Sequence, residues 1–209
     1  PRDVTQVVNR VFVTGADADP PNIAPNASFE ETQSVDDTEN NLLKNPGFED
    51  YDNTAGHAPY WYRVFGAVRR DYPDDSTVNI ARTGVAWLEL GNNGYVSSTL
   101  QAMEQGAIAI GFPQKMRVSV WARQVTNGDT QTFTITGYAQ DSSSNNLETF
   151  TSANLQPNSN VWQQFTFEFT PTNASVTQMA LRFTLTGSGG VGHGILLDDG
   201  ICVPAGLTA

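Results

Sequence analysis

Three kinds of side chain in this 209-residue chain could do chemistry: carboxylates beside tight turns, aromatic rings beside arginines, and two isolated histidines. Asn45-Pro46-Gly47 forces a bend, with Leu42, Leu43 and Phe48 able to enter a core on either side of it. Glu49 and Asp50 then place carboxylates just beyond the bend. That is half of an oxygen-only site for a hard cation such as calcium, and the simpler reading is a turn leading into a strand. Glu89 and Glu168 both fall on outward positions of alternating segments. Glycan hydrolysis by paired carboxylates needs the two on one face, and no local acidic motif joins these, so no catalytic pair is expected. His57 and His193 lack metal-ligand or triad spacing and read as solvated. No glycine-rich loop stands between a strand and a helix, which leaves nucleotide phosphate binding without support.

The elements that must position these groups are strands. In Met116–Arg123, Met116, Val118, Val120 and Ala122 share one face, and Arg117, Ser119, Trp121 and Arg123 the other. Phe165, Phe167 and Phe169 alternate as cleanly, as do Met179, Leu181, Phe183 and Leu185, and Phe133 with Ile135. Further strands are expected at 60–65, 85–90, 94–101, 147–152 and 194–203, and 100–110 could form a turn of helix. Clusters such as Thr126-Asn127-Gly128-Asp129 read as loops. Many amphipathic strands without a convincing helix imply two antiparallel sheets packed face to face, an all-β jelly-roll sandwich over residues 41–204 with a short tail at 205–209.

Residues 1–40 differ. Val7 and Val11 belong to a possible short strand, but 14–40 hold three prolines and many Asp, Glu and Asn with few apolar anchors. Such a segment cannot offset its own ordering entropy, so it reads as an extended arm held by another surface, with Phe29 as a pin. Formal charge is −11, with 22 acidic residues against 11 basic. Nucleic acid and anionic membranes are therefore excluded as general partners, and cations are favoured. Cys202 is single, so no intrachain disulfide forms. No apolar run approaches spanning length and no signal-peptide core is present. The start at Pro1 fits an initiator Met trimmed before a small residue, giving the expectation of a complete, cytosolically made polypeptide.

Asn-Leu-Leu-Lys-Asn-Pro-Gly-Phe-Glu at 41–49, Trp61, Thr83-Gly84, the 118–123 strand, Trp162 and Ile195-Leu196-Leu197-Asp198-Asp199 together resemble the carbohydrate-binding modules of the family 4/9/16/22 jelly-roll group. The resemblance spans 41–204. It implies a structural calcium at which Glu49 meets Asp198 or Asp199, completed by backbone carbonyls. Gly200 departs from the β-branched residue usual in the group, which leaves the choice between the two Asp residues open.

The outward faces collect Trp87 with Glu89, Tyr95, Trp121 between Arg117 and Arg123, Tyr138, and Arg182. Flat rings with planar hydrogen-bonding groups suit a sugar, and equally a protein partner. The expectation is a non-catalytic structural protein, a bacteriophage virion component of the capsid decoration (cement) or tail type, whose arm (Val7, Val11, Phe29) docks on neighbouring copies or a major capsid protein. The alternative is a carbohydrate-binding module of a secreted polysaccharide-degrading enzyme, the resemblance fixing a fold and not a function.

Overall fold

A computed structural model describes residues 40–50, 58–65, 68–71, 79–91, 102–125, 130–158, 160–186 and 194–205. The expected arm, including Val7, Val11 and Phe29, lies outside the described residues, as do Tyr95, His57 and His193. The described strands are β1 (Tyr62–Phe65), β2 (Val68–Asp71), β3 (Ala86–Gly91), β4 (Ala102–Ala109) and β5 (Met116–Gln124), followed by β6 (Phe133–Gln140), β7 (Asn146–Thr151), β8 (Gln163–Phe169), β9 (Gln178–Leu185) and β10 (Gly194–Pro204).

Apolar alternation dictates the layering. Met116, Val118, Val120 and Ala122 of β5 are fully buried, as are Leu88 and Leu90 of β3 and Ile195 and Leu197 of β10. They meet Met179, Leu181 and Phe183 of β9 and Phe133 and Ile135 of β6 in one core. The result is a sandwich of two five-stranded sheets, in the orders β1-β4-β9-β6-β7 and β2-β3-β10-β5-β8. Every described pairing is antiparallel. From β4 onward the chain passes between the sheets repeatedly, as in a jelly roll. Phe165 and Phe167 pack half-buried against the core, and Phe169 is buried with its ring over Gly137, where a Cβ would stand 2.6 Å from it.

Two expectations need correction. Residues 102–109 form strand β4 and not a helical turn, because β4 lies between β1 and β9 and its amides find cross-strand partners that outweigh local propensity. The short edge strand β2 was not foreseen, its Val-Arg-Arg-Asp sequence carrying no alternation to read.

Asn41–Glu49 closes one end of the sandwich. Asn41 acts as a strand mimic: its Nδ2 donates to Gly200 O (2.8 Å) and its Oδ1 accepts from Cys202 N (2.9 Å). Leu42 N donates to Cys202 O and Gly200 N to Pro46 O. Behind this contact Trp61 and Phe48, both fully buried, pack with ring centroids 5.2 Å apart, and Trp61 stacks on Phe183 at 5.7 Å. The Trp61 indole N–H donates to Asn45 O at 3.0 Å.

Candidate functional site

Two groups of polar residues stand out, one at the closed end of the sandwich and one on the outer face of the β1-containing sheet.

At the closed end β10 bulges, its register against β5 slipping between Asp198 and Ile201. A Cβ on Gly200, in the bulge, would stand 3.1 Å from Leu43 Cδ1, a tight contact with the end of a flexible side chain. Three carboxylates surround Gly47: a Cβ there would lie 3.5 Å from Asp199 Oδ1, 3.8 Å from Asp198 Oδ1 and 3.8 Å from Glu49 Cγ. Each also holds the 82–86 segment. Glu49 Oε1 accepts from Val85 N and Ala86 N, both at 3.1 Å. Asp198 Oδ2 accepts from Arg82 N (2.9 Å) and Thr83 N (3.3 Å). Asp199 accepts from the Thr83 hydroxyl (2.7 Å) and pairs with the Arg82 guanidinium (2.5 Å). Gly84, at φ +60°, admits no side chain, because the Glu49 carboxylate occupies the place of its Cβ. Left-handed backbone collects here, at Asn45 (φ 49°), Phe48 (φ 59°) and Asp199 (φ 46°). For Phe48 such a conformation is costly and persists only because the surrounding contacts over-determine it.

Asp198 is fully buried. Burial first, then the neighbouring charge of Asp199, push its pKa up to about 7 against three backbone hydrogen bonds that lower it. Among the described residues no three acidic side chains are spaced to hold a metal ion together. The donor chemistry suits two carboxylates with backbone carbonyls around a hard cation, and a buried carboxylate beside a like charge is the group such a cation would relieve. Cys202, also buried, has its thiol pushed up to about 12 by desolvation, which leaves it inert.

The aromatic candidates do not form one surface. Trp87 and Trp121 lie on the outer face of the β2-containing sheet, on the strands flanking β10, with Asp198 opposite Trp121. Trp87 is only 2% exposed, with its indole N–H lacking a hydrogen-bond partner, so it offers no open ring. Trp121 is half-buried, and the group over its ring at 3.9 Å is the Arg82 guanidinium. Neither Arg117 nor Arg123, its sequence neighbours, supplies that contact. Arg123 turns to Trp162 (5.9 Å) and donates to Asn160 Oδ1 (3.0 Å). Arg117 lies opposite Glu168, which pairs with Lys115 at 2.6 Å. Glu89 and Glu168 do share this face, but three inter-strand steps (about 14 Å) and six residues (about 20 Å) separate them. Paired-carboxylate glycan hydrolysis needs about 5–9.5 Å, so they form no such pair.

Tyr138 belongs to the opposite sheet. There the register aligns Tyr62, Glu104, Arg182, Thr136 and Thr151 in one row across all five strands. Tyr62 is 63% exposed. Arg182 Nη2 and Nε both reach Glu104 Oε2, at 2.6 and 2.7 Å, and the guanidinium lies 4.9 Å over the Tyr138 ring. Tyr60, 53% exposed and at φ 71°, sits beside the row under Lys44 Nζ (5.0 Å). Four inter-strand steps give the row a length of about 19 Å. Sequence reasoning placed Tyr138 and Arg182 outward but missed Tyr62 and Glu104. Alternation in Tyr60–Phe65 was the one available signal, and it cannot say which strands lie alongside.

A family model described as a carbohydrate binding domain matches residues 40–189. The chain belongs to this carbohydrate-binding domain family. No curated protein sequence matches it. Among solved structures the domain is similar to the enzymatically active domain of tailspike protein 4 from bacteriophage CBA120, with TM-score 0.54 and 13% identity over 78% of this chain and 21% of that one. It is similar to an arabinose-bound α-L-arabinofuranosidase (TM-score 0.53, 18% identity, 79% of this chain and 26% of that one). It is also similar to the CBM22-1 xylan-binding domain from Paenibacillus barcinonensis Xyn10C (TM-score 0.52, 14% identity, 78% and 93%). The domain thus spans about a fifth of the tailspike chain and about a quarter of the arabinofuranosidase chain. At these identities the likeness is one of fold.

The Asp198 environment gives a pH dependence with a definite sign. In metal-free protein the folded state keeps a proton on Asp198 up to about pH 7, whereas the unfolded chain releases it near about 4. Stability therefore falls as pH rises between about 4 and about 7. Thermal midpoints taken in chelator across this window should show the fall in the native protein and a much flatter profile in Asp198→Asn. Parallel profiles would place the titration elsewhere.

Proposed function

We propose that this domain is a non-catalytic glycan-binding module and that its binding surface is the row on the outer face of the β1-containing sheet. The observation that carries this reading is the alignment of an exposed ring, Tyr62, with the paired planar groups Glu104 and Arg182 and the exposed Thr151. A pyranose presents an apolar C–H face and a rim of hydroxyls, and this surface answers both, by ring stacking and by charge-assisted hydrogen bonds. The opposite face is a poorer candidate, since Trp87 is buried and Arg82 occupies the Trp121 ring.

A second reading concerns where the module works. Likeness in fold to a bacteriophage tailspike chain supports a virion component, of tail or capsid-decoration type, and likeness to the arabinofuranosidase and the Xyn10C xylan-binding domain supports a module of a secreted glycanase equally. In the virion reading residues 1–40, the segment poor in apolar anchors, dock the module on neighbouring virion subunits. Under either reading Glu49 and Asp198, with Asp199 beside them, hold a structural calcium. When bound it would supply positive charge to the buried Asp198 carboxylate and to its exposed neighbour Glu49, joining segments from the two ends of the domain.

Affinity electrophoresis on soluble xylan and β-glucan should retard the protein, with Arg182→Ala or Tyr62→Ala weakening binding by about tenfold or more and Trp121→Ala leaving it nearly unchanged. Loss of retardation in Trp121→Ala alone would move the site to the other sheet. Deleting residues 1–40 should abolish incorporation into virus particles while leaving the sandwich folded and its glycan binding intact. Incorporation that survives the deletion would remove the virion reading. Chelator should lower the melting temperature by several degrees, and calcium should restore it. An unchanged melting temperature together with no metal in the purified protein would exclude the calcium.

A further inference from the structure

The outer edges of the two sheets are unequally protected. β1 and β2 have four residues each, and β1 slips register between Arg63 and Phe65. β7 is irregular against β6 between Ala139 and Gln140. β8 instead keeps all seven residues, Gln163–Phe169, in unbroken register against β5. Among the described residues it is the outermost strand of its sheet. Its sequence, Gln-Gln-Phe-Thr-Phe-Glu-Phe, holds no Pro, Gly, Lys or Arg. Shortness, bulges, prolines and charges are devices that keep an edge from pairing with another chain, and among them β8 has only the charge of Glu168, which Lys115 pairs. Gln164, Thr166 and Glu168 are exposed, while Phe165 and Phe167 lean half-buried on the core and leave an apolar rim.

We propose that this edge pairs with β8 of a second copy of the chain, antiparallel and two-fold about Thr166. The sequence is self-complementary in that register. Phe165 lies beside the partner's Phe167, and Phe167 beside the partner's Phe165, extending the aromatic rim across the join. Gln164 faces the partner's Glu168, so no like charges meet, and Glu168 keeps its own Lys115 at 2.6 Å. Slipping by two residues shortens the paired run, and slipping by one sets inward against outward side chains. The general obstacle is a charge of −11 on each copy, which acts over distance and is screened by salt, whereas strand pairing is short-ranged. The dimer therefore tightens as ionic strength rises. Such pairing would join two modules through the sheet opposite the Tyr62–Arg182 row, leaving both rows open, and it stands whether or not that row binds glycan.

Sedimentation equilibrium of the full chain at moderate and high salt tests the edge, and charge substitutions at exposed positions test the register. Thr166→Lys sets two ammonium groups face to face, and Gln164→Glu sets each new carboxylate against the partner's Glu168. Each is expected to weaken dimerisation by about fivefold or more. Gln164→Lys should strengthen it. Hydrogen exchange in 163–169 should slow as wild-type concentration rises. A wild-type chain that stays monomeric to about 0.1 mM at high salt, or a dimer indifferent to Thr166→Lys and Gln164→Glu, overturns the proposal. So does a dimer that ignores both changes at Gln164, because the register would then be different.

Discussion

The structure depends on the contact between Asn41–Glu49 and the bulge at Asp198–Cys202. Segments about 160 residues apart in sequence are fastened there by the Asn41 carboxamide, by Gly200 N on Pro46 O, and by three carboxylates that share the 82–86 segment. A buried acid beside two more exposed ones, as Asp198 is beside Asp199 and Glu49, would ordinarily oppose folding. Here backbone N–H groups and the Arg82 guanidinium meet most of that charge, and the proton held by Asp198 absorbs part of the remainder. The same contact forces Asn45, Phe48 and Asp199 into left-handed backbone and leaves Gly84 no room for a side chain. Strain, charge and glycine use at this end of the molecule share one cause.

The sandwich gives its two outer faces different characters. Around Trp87, Trp121 and Asp198 the face is occupied: one ring is buried, the other lies under a guanidinium, and the carboxylate has no exposure. On the opposite sheet the charged pair Glu104–Arg182 is partly exposed, and Tyr62 stands open. Aromatic content alone therefore misleads about binding. A ring serves a ligand only when its flat face is accessible, and its accessibility depends on which loops and strands the fold lays over it.

Much of the fold was legible because a strand writes its two faces into the sequence with period two. The inward sets of β5, β8 and β9 could be listed from alternation, and the resemblance to the carbohydrate-binding modules implied that the Asn-Pro-Gly-Phe-Glu and Asp-Asp segments meet. Legibility failed where the signal is not local. β4 was ambiguous because Gly106 and mixed residues carry no clean period, and pairing with β1 and β9 decided its conformation. β2 is too short and too charged to announce itself.

The amino-acid sequence by itself determined the class of fold, the inward half of most strands and the acidity of the surface. These follow from composition and from short-range periodicity, which act within a few residues. Only the tertiary structure decided that Trp121 belongs to Arg82, that Trp87 is covered, and that Tyr62, Glu104 and Arg182 stand in one row. The physical reason is that register between strands distant in sequence is set by the packing of both sheets around one core, and no single strand encodes it.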